Sequence, residues 1–190
     1  MKRTSVDQVL DATRAAVLDL GVRRTTFAEV ARRAGVSRAT LYTHYPDVEA
    51  AVTAVLTREL GAVLAAARGP AGSAPHARAR LVGTIRRAVT ALVGDPLLAK
   101  ALAVDADTLV PYVVSRFGAV QRIALDLVVE GVRAGHEDGS VRHGDPGVLG
   151  LTVVLAVQSL VLAQRVPEVA AVGEGLADAL ADVVDRGLSP

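Results

Sequence analysis

The side chains that could make or break bonds in this chain are few and scattered. There are four histidines, His44, His76, His136 and His143, and no cysteine. No two histidines stand four residues apart, the spacing that puts a ligand pair on one helical face. No metal site is expected, and His136 and His143 read as residues of a solvated loop. Asp105 and Asp107, two residues apart, do not share a helical face and read as caps or an exposed turn. Gly173-Glu-Gly175 follows no strand and lacks a phosphate-loop pattern. No nucleophile stands in a recognisable constellation with a base. We therefore expect no enzyme, no catalytic residue and no cofactor.

The chemistry that remains is recognition. Residues 26–45, TFAEVARRAGVSRATLYTHY, meet the demands of a helix-turn-helix. A small residue, Ala31, can sit where two helices cross closely. Gly35 can adopt the positive φ of a tight turn. Val30, Ala34, Val36, Leu41 and Tyr45 can pin the second helix to the first. With Leu41 and Tyr45 inward, the helical repeat places Ala39 and Thr43 outward, flanked by Thr40 and Tyr42, with Arg38 and His44 toward the edges. A short helix with a small centre and polar flanks can enter the major groove, about 12 Å wide. Charge agrees. Residues 1–46 carry eight Lys and Arg against four acids, and the remainder thirteen against sixteen. A basic head on a mildly acidic body suits a chain that touches nucleic acid at one end.

The elements that must position this motif all read as helix. Val6, Val9, Leu10, Ala16, Val17 and Leu20 recur at helical spacing behind Ser5, and Gly21 stops the run. Thr26 caps a helix to Ala34, with Glu29 placed as in a capping box, and Ser37 caps another to about Tyr45. After Pro46-Asp47 an Ala-rich helix runs to about Ala67. Residues 68–75 form the clearest break. Helices follow near 76–93, 96–103, 105–118 and 118–134, then a loop over 135–145. Asp145-Pro146 opens a helix to about Arg165, with Pro in the first turn, and a last helix spans 170–186. The fold class is all-α: a three-helix helix-turn-helix head over 1–46, and a helical effector-binding and dimerisation domain over 47–190.

The segment TFAEVARRAGVSRATLYTHYPD, with one amphipathic helix before it and another after, resembles the TetR family of bacterial transcriptional regulators. The resemblance implies that Ser37, Thr40, Tyr42 and His44 help hold phosphates. It implies that Arg38, Ala39 and Thr43 meet base edges, and that Thr25 and Thr26 contact the DNA backbone. Where the family usually places Lys, just after Pro46-Asp47, this chain has Val48. The implied partner is double-stranded operator DNA, bound by a homodimer.

In the last two long helices, 148–163 is apolar on almost every face and must be covered on more than one side. Leu176, Leu180, Val183 and Val184 form one stripe of the other, beside Ala177 and Ala181. These helices are expected to pair with their symmetry mates. The region 76–165 is expected to enclose a pocket for a small, mainly hydrophobic effector, with Tyr112, Arg116 and Gln158 as polar anchors. The helix beginning near Asp47 would join that pocket to the head. No stretch reaches the roughly 20 apolar residues of a membrane span, so no membrane is expected as a partner and the cytoplasm is the expected location. The competing reading, a helical small-molecule binding protein with a degenerate DNA-binding head, rests on Val48 alone.

Overall fold

The computed structural model describes residues 5–69, 74–104, 117–164, 166–173 and 175–190 of the chain. Those residues form ten α-helices and no strand: α1 (Ser5–Leu20), α2 (Phe27–Ala34), α3 (Arg38–His44), α4 (Val48–Ala67), α5 (Ala77–Val93), α6 (Pro96–Val104), α7 (Ala119–Glu137), α8 (Pro146–Ala163), α9 (Pro167–Ala170) and α10 (Gly175–Leu188). The helix expected over 105–118 lies largely outside the described residues. The last helix, expected over 170–186, starts later, as α10 from Gly175, and is preceded by the short α9 and a turn at 171–173.

The chain divides into two compact units, each with its own core. The division falls between Leu60 and Gly61 within α4, and α6 joins the N-terminal unit. In that unit α1 is apolar on two sides. Val9, Ala12 and Ala16 pack with Phe27, Val30 and Ala31 of α2, Leu41 of α3 and Ala51 of α4. Leu10 and Val17 pack instead with Val52 and Val55 of α4 and Leu97 of α6. At the rim, Arg14 pairs with Glu59 and Arg58 with Asp11, each at 2.9 Å, so the charges of α4 tie it to α1.

The second unit is built on α5, α7, α8 and α10. Its core joins Leu81, Ile85 and Val89 to Val128 and Val132, Leu149, Val153 and Val154, and Ala177, Val184 and Leu188. With mostly aliphatic side chains filling the space, helices must approach closely. At Gly150 a Cβ would stand 2.8 Å from the Val129 side chain, so only glycine lets α8 lie so near α7. The first amides of α5 are all satisfied from outside the helix: Ala77 N–H donates to Asp138 Oδ2, Arg78 N–H to Ser140 Oγ and Ala79 N–H to His76 Nδ1. Hydrogen bonds from Ser140 and the Ala77 amide hold the Asp138 carboxyl down to about 2. Asp145 caps α8, accepting from Val148 N–H at 2.9 Å, with Pro146 in its first turn.

Among the described residues, two helices, α4 and α8, are long and apolar enough to cross a membrane by length and composition, although the sequence pattern suggested none would be. In α4 Arg58 and Glu59 pair with Asp11 and Arg14 of α1. In α8 one face belongs to the core, and Thr152 and Ser159 stand exposed among the apolar residues of the opposite face.

Candidate nucleic-acid interface

The geometry of residues 26–45 follows from four local decisions. Thr26 has extended backbone and caps α2, its hydroxyl accepting from Glu29 N–H at 3.3 Å. The Glu29 carboxylate does not complete a capping box. It turns to Arg32 and Arg33, whose charge-assisted hydrogen bonds, Arg32 first, lower its carboxyl to about 2. Arg33 reaches on to Asp19 of α1 at 2.5 Å. The chain then reverses at Gly35, whose φ of 66° would strain any residue with a Cβ, and the amides of Gly35 and Val36 both point to Ala31 O.

Ser37 starts α3 in the same manner. Its hydroxyl accepts from Thr40 N–H at 3.1 Å and lies 2.9 Å from the Thr40 hydroxyl. Inside, Leu41 is fully buried and Tyr45 packs half-buried beside it; burial raises the Tyr45 phenol above its ordinary value. Outside, Ser37, Arg38, Ala39, Tyr42, Thr43 and His44 are exposed and Thr40 is half-exposed. One seven-residue helix thus presents hydroxyls, a guanidinium, an imidazole and a phenol around a small centre at Ala39. Such a surface can donate to phosphates and base edges together.

Thr25 is the exception among the expected contacts. It is buried, its hydroxyl donates to Gly21 O at 2.8 Å and its amide to Val22 O. Its side chain closes the turn between α1 and α2 and has no free path to a phosphate. Thr26 is exposed beside it. The sequence reading passed over Arg23 and Arg24, exposed in the same turn; two basic residues just before a helix cap were the available signal. Val48 is partly buried against both clusters of the N-terminal unit, so an apolar residue has a packing role there.

The other expected sites are placed as follows. Gln158 is half-buried on α8 and its side-chain oxygen lies 3.5 Å from Gln121 Nε2 on α7. Tyr112 and Arg116 lie outside the described residues. On α10 the core-facing row is Ala177, Ala181, Val184 and Leu188. Val184, expected to meet a partner, is only 6% exposed and belongs to its own unit's core, because the buried face is rotated from the expected stripe. Leu180 packs partly against that core and Leu176 is half-buried, whereas Val183 is 67% exposed. The large apolar residues left outward on α8 are Val148, Leu151 and Leu155. His136 and His143 have ring centroids 6.3 Å apart, and His136 Nε2 lies 3.0 Å from Arg142 O. Among the described residues no three His, Cys, Asp or Glu side chains cluster as a metal site would require.

Residues 9–55 match the sequence model for bacterial regulatory proteins of the tetR family. An HTH-type transcriptional regulator of Mycobacterium bovis is 32% identical over 154 residues, covering 81% of this chain and 78% of its own. The fold is similar to the fatty acid degradation regulator FadR of Bacillus halodurans, with TM-score 0.70, 17% identity, and 97% and 96% of the two chains covered. It is also similar to FadR of Bacillus subtilis, solved with stearoyl-CoA, with TM-score 0.67, 16% identity, and 96% and 98% covered.

Proposed function

Because the chain belongs to the tetR family of bacterial transcriptional regulators, we propose that it acts as a cytoplasmic repressor, binding operator DNA as a homodimer and released by a small, mainly hydrophobic effector. The observation that carries the DNA-binding part is α3, whose outward side is polar from Ser37 to His44 while Leu41 anchors it from within. Arg38, Ala39 and Thr43 meet base edges; Thr26, Ser37, Thr40, Tyr42 and His44 hold the backbone.

Two copies pair through the outward apolar residues of α8, Val148, Leu151 and Leu155, joined by Val183 of α10. A row of this kind, exposed in one copy, loses its contact with water when it meets itself across a two-fold axis. The effector binds in the aliphatic C-terminal unit, where Gln158 supplies a polar anchor. A hydrophobic ligand suits such a lining, and the relative solved with stearoyl-CoA supports that class. The effector can weaken DNA binding only by as much as it prefers the non-binding conformation.

Selection of a duplex from a random-sequence pool, followed by footprinting, tests the DNA-binding reading. A defined two-fold symmetric site supports it; recovery of no preferred sequence, with affinity set by salt alone, removes it. Arg38→Ala is expected to relax preference at one position of each half-site, since Arg is the commonest reader of guanine. A thermal-shift screen of hydrophobic compounds, with hits retested for release of the selected duplex, tests the effector. Hits that stabilise the protein and leave DNA affinity unchanged would exclude the switch.

A further inference from the structure

One aromatic contact links the hidden and exposed sides of the helix-turn-helix. Phe27, the first residue of α2, is 5% exposed and packs in the cluster that holds Val9, Val30 and Leu41. Tyr42 on α3 is 61% exposed. Their rings stand edge to face, centroids 4.9 Å apart at 85°. We propose that Phe27 is a positioning residue for DNA recognition, its buried ring holding the exposed Tyr42 side chain in the orientation that meets the duplex. The proposal rests on the reading of α3 as the recognition helix.

An exposed tyrosine on a helix has at least two accessible χ1 rotamers, and confining it on binding costs affinity. The quadrupoles of two rings favour an edge-to-face approach such as this one over a face-to-face sandwich. Phe27 is suited to impose it because Phe27 cannot follow if Tyr42 moves: its ring is wedged among residues of α1, α2 and α3. Tyr42 therefore surrenders rotamer freedom when the chain folds, before DNA arrives. The contact also spans the turn, so the phenol is registered against the start of α2, where Thr26 stands exposed as the cap. Leucine at 27 would keep the site apolar and fill most of its volume but present no ring.

The duplex that the wild-type chain selects from a random pool is the probe. Phe27→Leu is expected to weaken its binding by about threefold to tenfold, with helix content and cooperative unfolding retained. In a Tyr42→Ala background, itself weakened, Phe27→Leu should cost nothing further, as two residues acting through one contact must. Additive losses would overturn the positioning role, because Phe27 would then act on the head as a whole. A second measurement is independent of how Phe27→Leu folds: three-bond couplings of Tyr42 in the free wild-type protein should report one χ1 rotamer, and averaged couplings would overturn the proposal. If neither Tyr42→Ala nor Arg38→Ala affects the duplex, the reading of α3 itself fails, an outcome separate from either of these.

Discussion

The hydroxyl of Thr25 donates to the Gly21 carbonyl oxygen at 2.8 Å, inside the turn that joins α1 to α2, while that of Thr26, one residue on, faces solvent as the cap of α2. Neighbouring residues of one type thus hold opposite roles. Thr25→Val keeps the volume but buries an unpaired carbonyl, and should cost about 1–3 kcal/mol of stability. Operator affinity per folded molecule should be nearly unchanged. Thr26→Ala should cost about 1 kcal/mol through the lost cap and also weaken DNA binding. Chemical denaturation paired with anisotropy titration separates the two. Equal loss of affinity per folded molecule in both variants would put Thr25 back among the DNA contacts.

Val48 offers a test of electrostatics. Its side chain is partly buried, so a lysine can lay its stem along the same apolar surface and carry the ammonium outward. Val48→Lys should steepen the dependence of log affinity on log salt by about one unit, the signature of one added phosphate contact. A parallel salt titration with an unchanged slope would mean that position 48 does not face DNA.

Burial distinguishes partner-facing residues from core residues on α8 and α10. Val184→Asp places a carboxylate in a closed core and should unfold the C-terminal unit, at a cost of several kcal/mol. Leu155→Asp places it on an outward face. That variant should stay folded and sediment as a monomer with weakened operator affinity, since two heads are needed to span two half-sites. An intact Leu155→Asp dimer in ultracentrifugation would move the interface elsewhere.

Acid should remove stability over a defined window. The Asp138 carboxyl falls from an ordinary 3.8 to about 2 in the folded chain. A group whose folded value is depressed stabilises the protein above its unfolded value, and that contribution is lost as pH falls through the folded value. The advantage of the wild type over Asp138→Asn should therefore shrink between about pH 4 and pH 2 in denaturation at stepped pH. A difference constant across that range would mean that the charge contributes nothing at the start of α5.

The sequence by itself determined the helix-turn-helix. Its signals are local: two side-chain caps at Thr26 and Ser37, a positive-φ glycine between them, and Leu41 and Tyr45 at helical spacing within twenty residues. Interactions of that range depend on neighbours that are already known. Three features needed the tertiary structure. Which of two adjacent threonines closes the α1–α2 turn depended on where Gly21 O stands. Which part of the apolar side of α10 is core, the row Ala177, Ala181, Val184 and Leu188 rather than Leu176, Leu180 and Val183, depended on how α5 and α8 pack against it, since both rows lie away from the aspartates. The contact between Phe27 and Tyr42 joins residues on two helices across a turn, and periodicity within either helix carries no trace of it. Where specificity arises between helices, only their packing could decide it.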